Sequence, residues 1–119
     1  MRRRKLERPD YPGRFAYDGL DRVLHEKARL GIVTALVTHP EGLAFPELKR
    51  LCALTDGNLS RHLTVLKASG AVEVWKGIEN SRPQTICRLS LEGRHRLLAY
   101  LEELERVIRD AMPRASRRK

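Results

Sequence analysis

Residues 54–70 read Leu54-Thr55-Asp56-Gly57-Asn58-Leu59-Ser60-Arg61-His62-Leu63-Thr64-Val65-Leu66-Lys67-Ala68-Ser69-Gly70. The turn from Thr55 to Asn58 offers Thr55 or Asp56 as the N-cap of a helix, because a short oxygen-bearing side chain can accept from an otherwise orphaned backbone N–H. Beyond it Leu59, Leu63 and Leu66 recur at the spacing of one helical face, and Ser69-Gly70 closes the segment. Off that stripe lie Asn58, Ser60, Arg61, Thr64 and Lys67, all small, hydrogen-bonding or cationic. The stretch therefore predicts a helix packed on one side and polar on the other. His62, beside the leucine stripe, reads as a packed edge residue.

Upstream, residues 46–54 predict a short helix entered by Pro46, whose missing N–H costs nothing in a first turn, with Leu48 and Leu51 facing inward. Leu43-Ala44-Phe45 reads as short and extended. Residues 20–38 predict the first helix, ended by His39-Pro40-Glu41-Gly42. One face carries Leu24, Ala28, Ile32, Ala35 and Leu36; another carries Val23, Leu30, Val33 and Val37, so this helix needs apolar partners on two sides. Downstream, residues 71–76 and 85–89 alternate and predict a hairpin whose loop, 77–83, is longer than two residues. Trp75 falls on the strand face opposite Val72 and Val74. Ser90 caps a last helix running to about Met112, where Pro113 stops it, and Glu92 suits the positive end of its dipole. Two short helices joined by a tight turn and followed by a hairpin define an α+β, mainly α, winged helix-turn-helix: a three-helix core, a two-stranded wing and a long C-terminal helix.

That last helix, 90–112, carries Leu97, Leu101, Leu104, Ile108 and Ala111 at alternating four- and three-residue steps, among the mixed charges of Glu102, Glu103, Glu105, Arg106 and Arg109. The three earlier helices and the hairpin already supply a core. The seam Leu97/Leu101/Leu104/Ile108 is therefore expected to pair with a second copy of the chain.

The chain's 119 residues make one domain's worth. The net charge of +9 is concentrated at the ends: residues 1–19 hold six Lys/Arg against three acids, 111–119 four against none, and 20–110 fourteen against twelve. Residues 1–19, with Pro9, Pro12, Gly13 and Gly19, read as a basic arm. Residues 20–112 read as the folded domain, and 113–119 as a basic tail. Such ends attract polyanions through counterion release. No apolar run approaches a membrane span, and the basic N-terminus has no apolar stretch behind it, so a cytoplasmic protein without membrane contact is expected. Cys52 and Cys87 have no partner at zinc-ligand spacing. Both are expected to be reduced core filler, with no metal or other cofactor.

Residues 54–70, with Gly77 to Arg82 and then Pro83, Thr85, Leu89, Ser90 and Gly93, resemble the recognition-helix and wing regions of MarR/ArsR-type winged-helix regulators. The likeness covers about residues 20–110. It implies a regulator of transcription that binds double-stranded DNA. No catalytic motif accompanies it, so no enzymatic activity is expected, and a homodimer bound over a promoter would compete with polymerase, so a repressor is expected. The residue chemistry agrees. Arg61 is suited to read guanine and Asn58 adenine, with Ser60 and Thr64 beside them and Lys67 and Lys76 on phosphate. Arg82, at the expected wing tip, suits a narrow minor groove. Metal-sensing ArsR-type proteins place a Cys-x-Cys pair on a helix of this domain; Leu51-Cys52-Ala53-Leu54 has one thiol, so that site is not implied. The alternatives are a winged helix used for protein–protein contact, which would lose the polar face, and non-specific nucleic-acid binding driven by the tails.

Overall fold

The computed structural model describes residues 11–112. Seven elements follow in the order α1 Lys27–Val37, β1 Leu43–Ala44, α2 Phe45–Cys52, α3 Asp56–Ala68, β2 Val72–Glu79, β3 Arg82–Leu89 and α4 Leu91–Ala111. The three strands form one antiparallel sheet in the order β1-β3-β2. β1 joins β3 by Leu43 opposite Cys87, and β2 runs the length of β3 from Val72 opposite Leu89 to Glu79 opposite Arg82. The core lies between α1, α2, α3 and the inner sheet face, where Ile32, Leu36, Leu48, Leu59, Leu66 and Cys87 are fully buried. Tyr100 and Leu97 of α4 close it from the other side.

The first helix is shorter than its apolar pattern predicts, because residues 20–26 form turns. The Asp21 carboxylate accepts from the N–H groups of Val23 and Leu24 at 2.8 and 3.2 Å, which competes with helical bonding. Glu26 is extended (φ −154°, ψ 132°) and caps α1 by accepting from Arg29 N–H. Leu24 still reaches the core, from a turn rather than a helix.

α2 starts with Pro46 in its first turn and buries Leu48, but Leu51 faces outward. The expectation that both leucines point inward fails for Leu51: the three-residue step turns it about 60° around the helix from Leu48, off the buried line. The helix then ends as Ala53 takes the left-handed conformation (φ 55°), and its N–H and that of Leu54 donate to the Arg50 and Lys49 carbonyls.

The hairpin is also tighter than expected. Both strands extend to Glu79 and Arg82, leaving only Asn80 and Ser81 as the turn, with φ of 54° and 62°. Positive φ at both central residues is the type I′ geometry, whose twist matches the strands it joins. No glycine advertises it. Trp75 does lie on the face away from Val72 and Val74. It is half exposed, with the Arg88 guanidinium 5.2 Å from its ring centroid.

α4 begins at a tight junction. Ser90 accepts from Gly93 N–H at 2.8 Å and donates its hydroxyl toward the carbonyls of Gly70 and Ala71. A β-carbon on Gly93 would sit inside the van der Waals shell of the Ala71 carbonyl oxygen and 3.0 Å from a Leu89 methyl. Farther along, residues 11–19 are turns laid beside the C-terminal half of α4, with Gly19 N–H donating to Glu103 and Arg106 donating to the Arg14 carbonyl.

Candidate nucleic-acid interface

α3 is set by its two ends and one face. Thr55 accepts from Asn58 N–H at 3.1 Å, and the last carbonyls, those of Val65, Leu66 and Lys67, accept from the N–H groups of Ser69, Ala71 and Gly70. Leu59, His62, Leu63 and Leu66 are buried. His62 Nδ1 meets the Arg29 guanidinium at 3.2 Å, which ties α3 to α1. That contact between residues 33 positions apart has no signal in local sequence pattern.

On the opposite face Ser60, Arg61, Thr64 and Lys67 are exposed; Asn58, in the first turn, is half-buried. Thr64 donates its hydroxyl to the Ser60 carbonyl at 3.0 Å. Its oxygen is thereby left as an acceptor, suited to the amino group of a base. The neighbouring cations differ in availability. Lys49 is paired with Asp56 at 2.8 Å, Arg50 with Glu47, and Arg88 with Glu73. Arg61, Lys67 and Arg82 have no ion-pair partner among the described residues.

A cleft separates α3 from the wing, with Ser60, Thr64 and Lys67 on one wall and Val74 and Thr85 on the other. Lys76 lies across the strand beside it and donates to Thr85 Oγ1 at 3.1 Å. The sheet therefore brings Lys76 to the polar face of α3. Arg82 goes elsewhere. It is opposite Glu79 at the base of the turn, in phase with Gln84 and Ile86, which line a different pocket against Gly42 and Pro46. It is therefore beside the tip rather than at it, on the sheet face turned from α3.

Among the seam residues, Leu97 is only 3% exposed and belongs to the core of its own chain, so it is not free to meet a partner. Leu101 and Ile108 are 46% and 49% exposed, and Leu104 is partly buried against the core. Leu98 joins Leu101 and Ile108 on the outer face, a residue the seam spacing omitted because that spacing was anchored on Leu97. Cys87 is buried, and burial pushes its thiol up to about 11; Cys52 is partly buried and raised for the same reason. Among the described residues no group of three His, Cys, Asp or Glu could hold a metal ion, and no helix is long and apolar enough to cross a membrane. The basic residues Arg2, Arg3, Arg4 and Lys5 and the tail 113–119 lie outside the described residues.

A polar-faced helix that follows a tight turn, and a hairpin whose inner face meets it across a cleft, define the winged-helix class. The chain belongs to the winged helix DNA-binding domain family, whose model matches residues 28–108. It is 36% identical over 72 residues to an uncharacterized protein of Methanocaldococcus jannaschii, covering 60% of this chain and 78% of that one. A solved structure described as a transcriptional regulator homologue from Pyrococcus horikoshii OT3 shares 31% identity with a TM-score of 0.69, covering 74% of this chain and 86% of that chain. A MarR-family transcriptional regulator from Streptomyces coelicolor, solved in complex with DNA, shares the fold at 21% identity and a TM-score of 0.55, over 86% of this chain and 72% of that chain. The fold is thus that of MarR-type regulators.

Proposed function

We propose that this protein is a sequence-specific transcription regulator that binds double-stranded DNA as a homodimer, represses by occupying promoter DNA, and acts in the cytoplasm without catalysing a reaction. The observation that carries the reading is the outer face of α3, where Arg61 and Lys67 are unpaired among the described residues and flank Ser60 and Thr64 beside the wing cleft. A helix that only had to pack would not need hydrogen-bonding and cationic groups gathered opposite its leucines. Arg61 is the base reader, with two parallel donors for guanine O6 and N7. Lys67 and Lys76 hold phosphates on either side of the cleft. The exposed stripe Leu98, Leu101 and Ile108 on α4 is the dimer surface. A two-fold pair built on it would present two α3 helices to successive major grooves about 34 Å apart.

The test is selection of bound duplexes from a random pool, followed by Arg61→Ala on the selected site. The substitution is expected to cost about 1–3 kcal/mol there and much less on scrambled duplex. A pool that yields no enriched sequence, or an equal loss on both duplexes, would reject base reading by Arg61. Failure of the 119-residue chain to bind any duplex would favour a protein-binding winged helix.

A further inference from the structure

Ile78 is 70% exposed, near the end of the hairpin beside the polar residues Glu79, Asn80, Ser81 and Arg82, and it stands opposite Pro83, also exposed. A single exposed apolar residue is ordinary on a protein surface, but here two stand paired across the strands at the hairpin's end. Its facing is fixed by strand alternation. Val72, Val74, Lys76 and Ile78 share one face of β2, and their partners on β3 are Leu89, Cys87, Thr85 and Pro83. Two contacts confirm which face this is: Val74 and Thr85 line the cleft against α3, and Lys76 bonds Thr85. The other face is marked as independently. A β-carbon on Gly77 would touch Ile86 and Trp75, and Glu79, Gln84 and Ile86 line the pocket beneath β1 and α2. The side of the wing that looks toward the polar face of α3 thus ends in an apolar pair, and the cationic Arg82 is on the reverse.

The geometry points to Ile78 and Pro83 as a DNA-contacting apolar pair, with which the wing enters the minor groove flanking the major groove that α3 occupies. This rests on the DNA-binding reading above and replaces the minor-groove contact that the sequence suggested for Arg82. Apolar side chains of this kind wedge against sugars and base edges in the minor groove, where the wall is C–H rather than phosphate. The two-residue turn at Asn80-Ser81 follows directly on the pair, and Lys76, two residues back on the same face, holds the phosphate rim. Such a contact adds affinity without releasing a counterion, so it is insensitive to salt.

The experiment is a salt series of binding to the selected duplex by the full chain and by Ile78→Thr, Ile78→Arg and Arg82→Ala. Thr keeps the β-branched shape and strand preference, so folding is preserved and is checked by thermal melting. Ile78→Thr is expected to weaken binding about five- to tenfold at every salt concentration with the slope unchanged. Ile78→Arg is expected to steepen the slope by up to about one unit, by adding a phosphate contact. Arg82→Ala is expected to bind within about twofold of the parent chain, in keeping with the reverse-face position that leaves it off the duplex. If the parent chain binds and both Ile78 variants match it in affinity and slope, the wing assignment is wrong while the α3 reading stands. An Arg82→Ala loss larger than that of Ile78→Thr would likewise overturn it. If the parent chain binds no duplex, both readings fall together.

Discussion

Arg14 and Asp110, 96 positions apart, meet in a two-bond pair, Nη1 to Oδ2 at 2.7 Å and Nη2 to Oδ1 at 2.8 Å. Tyr17 donates its hydroxyl to the same carboxylate at 2.6 Å. These three residues fasten the segment 11–19 to the far end of α4. The Arg14 hydrogen bonds, followed by that from Tyr17, hold the Asp110 carboxyl well below the usual carboxylate range.

Asp110→Asn keeps the size of the side chain but removes its charge, and it is expected to release the segment. A carboxyl whose pKa is lowered by folding contributes stability above its unfolded value of about 3.9, and loses it as pH falls through the lower folded value. The fastening should therefore be complete at pH 5 and fail only in stronger acid. Amide hydrogen exchange at Ala16 and Leu20, whose N–H groups bond Gly13 and Tyr17, reads this directly. Equal exchange in the parent chain and Asp110→Asn at pH 5 would show that the pair does not hold the segment.

Two leucines one turn apart on α4 should respond in opposite ways to an introduced charge. Leu97→Glu places a carboxylate in the core and is expected to unfold the chain. Leu101→Glu places it on the exposed stripe and is expected to leave a folded monomer. Sedimentation with circular dichroism at tens of micromolar separates these results. A monomeric parent protein, or a dimeric Leu101→Glu, would remove α4 from the dimer surface.

The thiol of Cys87 predicts a stability slope in alkali. Burial raises its pKa from 9.0 to about 11, so the folded chain keeps a proton that the unfolded chain gives up. Stability contributed by the neutral thiol is complete below the unfolded value and is lost as pH rises toward about 11. Cys87→Ala, compared with the parent by denaturant unfolding from pH 8 to pH 11, should show a shallower decline. Parallel curves would mean that the thiol is accessible in the folded state.

Backbone geometry makes a paired prediction. Gly93→Ala would raise helix propensity on any open helix, but here the new methyl meets the Ala71 carbonyl, and a loss of about 3 kcal/mol or more is expected. Ala53→Gly relieves a left-handed alanine and should gain about 0.5–1 kcal/mol. Chemical denaturation of both variants checks the signs, and a neutral Gly93→Ala would mean the α4 junction is looser than its geometry shows.

Local chemistry decided what could be read in advance. α3 was legible because Thr55, the three leucines and Ser69-Gly70 all lie within one segment and agree. The start of α1 was not, because an Asp21 side chain bonding its neighbours interrupts an apolar pattern that would otherwise continue from Leu24. The hairpin turn was hidden for want of glycine, since Asn80 and Ser81 take positive φ without it. For the site, Ser60, Arg61, Thr64 and Lys67 could be separated from the leucines by angle alone. Which way Arg82 points could not, because that depends on where the turn falls, and moving it by one residue exchanges the two faces of the wing. Likewise an apolar stripe announces burial without saying in whose core: Leu97 faces its own chain, whereas Leu101 faces out.

The junction at Ser90 and Gly93 has a consequence for spacing. The first turn of α4 is pressed against Ala71, whose N–H donates to the Leu66 carbonyl in the last turn of α3, and the Ser90 hydroxyl bridges to the carbonyls of Gly70 and Ala71. In a dimer joined through α4, this close junction would couple the helix that pairs to the helix that reads, and each protomer would act as one arm of a calliper. The gap between two reading helices would then be set by the crossing angle of the paired α4 helices alone. A shift of a few degrees at that distant crossing would move the jaws off or onto the roughly 34 Å repeat of the duplex, and the spacing of the bound half-sites would be written in the angle between two helices.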